Sequence, residues 1–171
     1  MLEDDKAEIT VGEFVEMLWK EWGGAALGEG GAASLTLSEL LRYGHFRGWL
    51  EDSDESQPEK LLNRQTAARI IHQFMVVELG VADIADIREA EKLRDLYTCR
   101  VCANHVAQVY LRGIMRAQEM EVVDNSVSAA ARAAQPVLFF NHLARVTRTE
   151  VREAMERLRS NRRQRAAVTP S

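Results

Sequence analysis

Val146-Thr147-Arg148-Thr149-Glu150 has the pattern of a helix start, in which an apolar residue precedes a hydroxyl residue at the N-cap. The hydroxyl and the carboxylate three positions later can each bond a free backbone N–H of the other residue. Ile9-Thr10-Val11-Gly12-Glu13 opens an earlier segment in the same way, and Leu62-Asn63-Arg64-Gln65-Thr66 opens another. The recurrence predicts a chain built as three variations on one unit.

Apolar spacing and the positions of glycine predict where the helices lie. Gly23-Gly24 is expected to end the first helix, and Gly48 and Gly80 are expected to end the next two. The predicted helices are about Thr10–Trp22, Thr36–Arg47, Asn63–Leu79, Tyr97–Ala117 and a last one that starts at Thr147 and frays after Ser160. Abundant helix-forming residues and only three prolines agree with an all-α chain.

The stretches between these helices differ in composition. Trp49 and Leu50, which follow Gly48, are expected to pack back on the core. Residues 51–59 come next and are expected to form an acidic loop. Residues 121–137 have an alanine-rich middle for which a short helix is predicted, and Phe140 is expected to be a core anchor. The expected organisation is a flexible N-terminus at 1–8, one helical domain at 9–160 and a basic flexible tail at 161–171.

Charge is distributed unevenly along the chain. Residues 1–60 carry 14 acidic and 5 basic side chains, whereas residues 61–171 carry 12 acidic and 17 basic side chains. The basic part can meet the acidic part or an anionic partner. No run of apolar residues is long enough to predict a membrane span, and no basic start with an apolar run predicts a secretory signal in this chain. The expected location is therefore cytoplasmic, or the cell surface if the chain is a processed fragment.

Two longer stretches share a further pattern of a helix, a glycine turn, a loop and a second capped helix. The first contains Gly48-Trp49-Leu50, Pro58 and Arg64, and the second contains Gly113-Ile114-Met115, Phe140 and Val146–Glu150. This pattern resembles the S-layer homology (SLH) family. That family's repeat has a Gly-Ile/Leu-hydrophobic turn, a loop with a Gly-x-Phe-x-Pro element and a helix opened by Ile/Val-Thr-Arg-x-Glu.

The resemblance implies an all-α fold of three degenerate helix-loop-helix repeats in a pseudo-threefold SLH-like helical bundle. The chain departs from the family pattern in each unit except the last helix start. Val11 stands where the arginine is expected, Asn63 replaces threonine and Thr66 replaces glutamate. The third unit also carries an insertion between Gly113 and Phe140.

The resemblance also implies a non-catalytic binding module. In the family, grooves between repeats bind anionic, often pyruvylated, cell-wall polysaccharide, and Arg64, Arg148 and Glu150 are the ligand-binding positions that carry over. A guanidinium at a helix N-terminus would add a forked donor to the free backbone N–H groups there. The alternative is that both arginines pair with local carboxylates such as Glu59 and Glu150. A second hypothesis is an intracellular helical protein–protein interaction protein that uses the repeat only as a scaffold.

Cys99, Cys102 and His105 form a weak candidate for zinc binding. They lie one turn apart in pairs on a helix, but Cys99 and His105 would point about 120° apart. A redox role for the CxxC pair would need a depressed thiol pKa. The simplest expectation is two reduced, mostly buried cysteines that pack as small apolar residues, so neither a metal nor a cofactor is predicted.

The remaining function classes lack a sequence signature. The arginine-rich end, from Arg145 to Arg165, has glutamates interleaved with its arginines, as in ordinary helix pairing, and nucleic acid is not expected as a partner. No phosphate-binding loop, metalloprotease motif or nucleophile elbow is present in the sequence. The chain is therefore not expected to be an enzyme.

Overall fold

The computed structural model of the chain describes residues 6–27, 35–120 and 137–168, which are mostly helical. The α-helices in these residues are α1 (Val11–Leu27), α2 (Leu37–Arg47), α3 (Asp52–Ser56), α4 (Arg64–Val77), α5 (Ala103–Leu111) and α6 (Arg148–Val168). Two short 3₁₀ helices cover Arg88–Lys92 and Leu96–Thr98. Strands β1 (Gln118–Met120) and β2 (Val137–Phe139) pair in antiparallel fashion.

The predicted N-caps are confirmed at four helices. In each case the side chain of the residue before the helix accepts a hydrogen bond from the backbone N–H three positions later. The pairs are Thr10 with Glu13 (3.1 Å), Thr36 with Glu39 (3.2 Å), Asn63 with Thr66 (2.8 Å) and Thr147 with Glu150 (3.3 Å). The local sequence therefore determines where these helices begin.

The apolar residues that precede three of these caps meet in a closed ring of backbone hydrogen bonds. The N–H of Ile9 donates to Val146 O (3.4 Å), that of Val146 to Leu62 O (3.1 Å) and that of Leu62 to Ile9 O (2.8 Å). All three side chains are buried. The ring brings the starts of α1, α4 and α6 together, although these residues are far apart in the chain.

Aromatic residues fill much of the core beside α1, α2 and α4. Trp49 is fully buried, as expected from its place after Gly48. Its indole stacks on Trp19 at 6.5 Å between ring centroids and meets the edge of Phe74 at 5.1 Å. The indole N–H of Trp49 donates to Glu78 Oε1 over 3.1 Å, so the polar atom of this core residue is satisfied.

Several predicted element boundaries are wrong. Helix α1 continues through Gly23-Gly24 to Leu27, because a glycine pair weakens a helix without forbidding it. The predicted helix Tyr97–Ala117 is much shorter, since the chain turns before Ala103 and Gly113 leaves the helix with φ of 70°. Helix α6 continues beyond Ser160 to Val168. The alanine-rich middle of 121–137 lies outside the described residues.

The acidic stretch 51–59 is not simply a loop, because Asp52–Ser56 forms the short helix α3. Asp54 in this helix is 3% exposed and accepts two hydrogen bonds of 2.8 Å from the guanidinium of Arg69 on α4. Such a bidentate pair is short and directional. It fixes the acidic segment against α4.

Candidate ligand-binding groove

A groove of about 220 Å³ opens between α4, α6 and the segment 114–118. Part of its lining is apolar and buried, including Phe14 from α1 and Val151 from α6. The rest carries charged side chains, described below. An apolar lining with a few polar groups is typical of sites that bind small molecules or sugar units.

Two arginines in this lining have side chains that are exposed or partly exposed. Arg157 on α6 has a 25% exposed side chain, with long contacts to Ile114 O (3.3 Å) and Glu153 Oε2 (3.4 Å). Arg116 is exposed, and its side chain forms no ion pair with any described residue. Guanidinium groups recognise carboxylates and phosphates through paired hydrogen bonds. This end of the groove is therefore suited to an acidic group.

Arg64, one of the predicted ligand-binding residues, lies inside the protein. It is 5% exposed and contributes to the groove lining. Its Nε–H donates to Phe140 O over 2.7 Å and its Nη2–H to Arg116 O over 2.5 Å, while the guanidinium lies 4.6 Å from the centre of the Phe140 ring. Burial lowers the pKa of Arg64, and the carboxylates of Glu150 and Asp95 oppose this shift. Arg64 thus holds two backbone segments together beside the groove.

Arg148, the second predicted residue, is engaged with α1. Its Nη2–H donates to Glu13 Oε2 over 2.7 Å, and its side chain is 27% exposed. A second ion pair joins the same helices, between Arg159 and Glu21 at 2.8 Å. The expected partner class, a carboxylate, is present, but it comes from α1 and not from Glu150 or Glu59.

Glu150, the third predicted residue, contributes to the groove lining. Its Oε2 is buried and accepts no hydrogen bond from any described residue. A buried carboxylate oxygen without a donor raises the free energy of the folded state. Because this oxygen is buried, a ligand hydroxyl reaches it only after neighbouring side chains move.

The helix N-termini do not offer the free N–H groups that the sequence led us to expect. At α1, α4 and α6, backbone carbonyls from another chain segment already accept from the first turn. The bonds are Val11 to Lys60 O (2.9 Å), Gly12 to Pro58 O (2.8 Å), Arg64 to Ala144 O (3.0 Å), Gln65 to His142 O (2.9 Å) and Arg148 to Ala7 O (3.1 Å). Anion binding must therefore use side chains in place of these backbone groups.

A second polar cluster, which the sequence did not reveal, joins α4 and α5. His72 Nε2 lies 2.7 Å from Asp83 Oδ1, and His72 Nδ1 lies 2.7 Å from His105 Nδ1. Because the carboxylate accepts the Nε2–H, His72 Nδ1 is the acceptor and His105 Nδ1–H is the donor. Burial is the main cause that lowers the pKa of His105 to about 4; electrostatic interactions with His72 and Arg69 add to the shift and Asp83 opposes it. The two histidines are distant in sequence, so only the packing of α4 on α5 identifies the pair.

The expectation of two reduced cysteines is wrong, because Cys99 and Cys102 form a disulfide. Neither sulfur is then a thiolate, which is the form that binds zinc. His105 contacts His72. Within 6–27, 35–120 and 137–168, no three His, Cys, Asp or Glu side chains are grouped to hold a metal ion.

No family model, curated protein or solved structure matches the chain. In the described part of the chain, every helix is too short or too polar to cross a bilayer. Function must therefore be inferred from the groove, the histidine cluster and the disulfide.

Proposed function

We propose that the chain is a non-catalytic SLH-like module of three degenerate repeats that binds an anionic cell-wall polysaccharide in the groove between α4 and α6. The observation that carries the proposal is the groove itself, whose lining combines apolar residues with Arg116 and Arg157. Sugar rings pack on apolar side chains, and acidic substituents pair with guanidinium groups.

The ring of Ile9, Leu62 and Val146 supports the three-unit arrangement. Each residue holds the same position, immediately before an N-cap, and each donates to the next in a cycle. In this arrangement α1, α4 and α6 are the equivalent second helices. The groove then lies at the junction of the second and third units, where the resemblance to the SLH family leads us to expect a ligand.

The side-chain contacts give the family's arginine positions a supporting role in the proposal. Arg64 fixes the backbone of Arg116 by donating a hydrogen bond to its carbonyl oxygen over 2.5 Å. Arg148 joins α6 to α1 through its ion pair with Glu13. Arg116 and Arg157 contact the acidic groups of the polysaccharide, and Glu150 lies in the groove lining beside them. The disulfide supports an extracellular setting for this activity, because disulfides persist in oxidising compartments.

The test is sedimentation with purified bacterial cell walls, compared with walls stripped of acidic polysaccharide. Wild-type protein is expected to pellet with intact walls and to remain in the supernatant with stripped walls. Added salt should weaken the binding, because it screens exposed charges. The double variant Arg116→Gln/Arg157→Gln is expected to lose about tenfold or more in affinity, since each lost charged hydrogen bond costs roughly 1.5–3 kcal/mol.

The matched control is Arg42→Gln, which removes an exposed arginine of α2 that does not line the groove. It should bind as the wild type does. Wild-type protein that stays in the supernatant with intact walls would rule the proposal out. Equal losses of cell-wall affinity in the double variant and in Arg42→Gln would show that the polysaccharide does not bind in this groove.

A second candidate is a protein–protein interaction module in which the same fold serves only as a scaffold. Phe46 on α2 favours it, because this side chain is 87% exposed and exposed aromatic residues are common at interfaces. Cell fractionation distinguishes the candidates. A wholly cytosolic protein has no access to wall polymer, whereas a wall-associated pool supports polysaccharide binding.

A further inference from the structure

The Cys99–Cys102 disulfide lies in a surface turn that leads into α5. Between the two cysteines, Val101 is 87% exposed and Arg100 is also exposed. The turn is closed by hydrogen bonds from Cys102 N–H to Cys99 O (3.2 Å) and from Ala103 N–H to Arg100 O (3.3 Å). The turn between the two cysteines is therefore at the protein surface, while Cys99 is only partly buried.

A structural role accounts poorly for this disulfide. It joins residues three apart, and a cross-link that closes so short a loop removes little freedom from the unfolded chain. Helix α5 is held by other contacts, since Val106 and Val109 are fully buried. Gln108 also exchanges two hydrogen bonds of 2.9 Å with the backbone of Ile84. The position of α5 thus does not depend on the cross-link.

The two sulfurs occupy different environments. Cys102 is 8% exposed and is the N-cap residue of α5, whereas Cys99 is only partly buried. A thiolate at a helix N-terminus is stabilised by the helix dipole and is a better leaving group. An external thiolate would therefore attack the sulfur of Cys99 and release that of Cys102.

We propose that Cys99–Cys102 is a thiol–disulfide exchange site that is reduced by an external dithiol. The thiolate of the dithiol attacks Cys99 Sγ, a mixed disulfide forms and the Cys99–Cys102 bond breaks, with the electron pair on Cys102. The second thiol of the reductant then attacks its own mixed-disulfide sulfur and releases Cys99. Two electrons and two protons pass to the protein, and the dithiol becomes a disulfide. Neither cysteine lines the groove, so exchange at this site does not require ligand binding there.

Reduction of the wild-type protein by dithiothreitol tests the proposal without any variant. Samples are taken at intervals, the free thiols are capped with a maleimide and the mass is measured. The rate of reduction is expected to rise in proportion to the dithiothreitol concentration and to exceed the rate of global unfolding by about 100-fold or more. A rate that is independent of dithiothreitol and equal to the unfolding rate would show a purely structural disulfide and overturn the proposal.

Trapping the mixed disulfide tests which sulfur is attacked. Reduced glutathione is added to the oxidised wild-type protein, the freed protein thiol is capped at once with a maleimide, and peptide mass spectrometry locates both groups. Glutathione is expected on Cys99 and the maleimide on Cys102, in about tenfold excess over the reverse arrangement. Equal amounts of the two arrangements, or an excess of glutathione on Cys102, would overturn the assigned order of attack.

Discussion

The guanidinium of Arg64 bonds two carbonyls that lie far away in the sequence. Its acceptors, Phe140 and Arg116, are 76 and 52 residues from it. The local pattern Leu62-Asn63-Arg64 predicts the N-cap and places the arginine in the first turn of α4. It carries no information on those distant acceptors. The sequence therefore identified a residue that matters at this junction but assigned its side chain to a ligand.

Replacing Arg64 by Met is expected to destabilise the fold by about 3 kcal/mol, because one buried and one partly buried carbonyl lose a charged donor. A methionine of similar length fills the space but cannot bond either carbonyl. Arg64→Lys should be intermediate, since an ammonium group lacks the planar fork that reaches both. Urea unfolding followed by circular dichroism measures each free energy of unfolding.

The matched control for this prediction is Arg116→Met. The Arg116 side chain is exposed and pairs with no described residue, so its loss should change stability by less than about 0.5 kcal/mol. Equal unfolding midpoints for Arg64→Met and Arg116→Met would show that the two carbonyl contacts of Arg64 contribute nothing to stability.

At the scale of elements, the contact of α4 with α5 is sensitive to acid through His105. Its Nδ1, on α5, lies 2.7 Å from His72 Nδ1 on α4. The pKa of His105 falls from 6.5 to about 4 on folding, with burial as the main cause. The unfolded chain therefore binds a proton first, and the stabilising contribution present above pH 6.5 is lost as the pH falls towards 4.

We expect the free energy of unfolding to drop by at most about 3 kcal/mol between pH 6.5 and pH 4 from this residue. Asp83 adds to the loss below that range. Its burial would raise its pKa, but bonds from His72 and Asn104 outweigh this and lower it. His105→Asn keeps an N–H donor near His72 without titrating, so its stability should fall less. Denaturant unfolding at several pH values measures both proteins, and parallel curves would contradict the assignment.

Helix starts were predictable from the sequence and helix ends were less so. A start such as Thr36 depends on side chains within one turn, and the structure has it where the sequence predicts it. An end also depends on tertiary contacts, which allow α1 to run through Gly23-Gly24. The start of α5 was missed because residues 99–102 form a turn ahead of it, and the cysteines in that turn had been expected to be reduced.

At the scale of the whole molecule, the repeated start pattern indicated three related segments, but not how they meet. The ring of Ile9, Leu62 and Val146 is made of bonds between backbone atoms, so no side-chain identity encodes it. The groove could not be predicted from the sequence either, because its lining combines α4, α6 and the segment 114–118. Its apolar members were predictable as core residues, whereas Arg116 and Arg157 are recognised only once these elements are packed together.

Because Ile9, Leu62 and Val146 form one ring of hydrogen bonds, their amide hydrogens should all report the same opening of the protein. Each N–H is bonded to a carbonyl of another segment, so releasing one segment disturbs the partners of both others. In deuterated water the three amides should exchange only through global unfolding, with protection free energies equal within about 1 kcal/mol. The amide of Thr98, bonded within an exposed 3₁₀ turn, should exchange much sooner. Early exchange at Ile9 alone would instead reveal a first segment that detaches by itself while the other two remain joined.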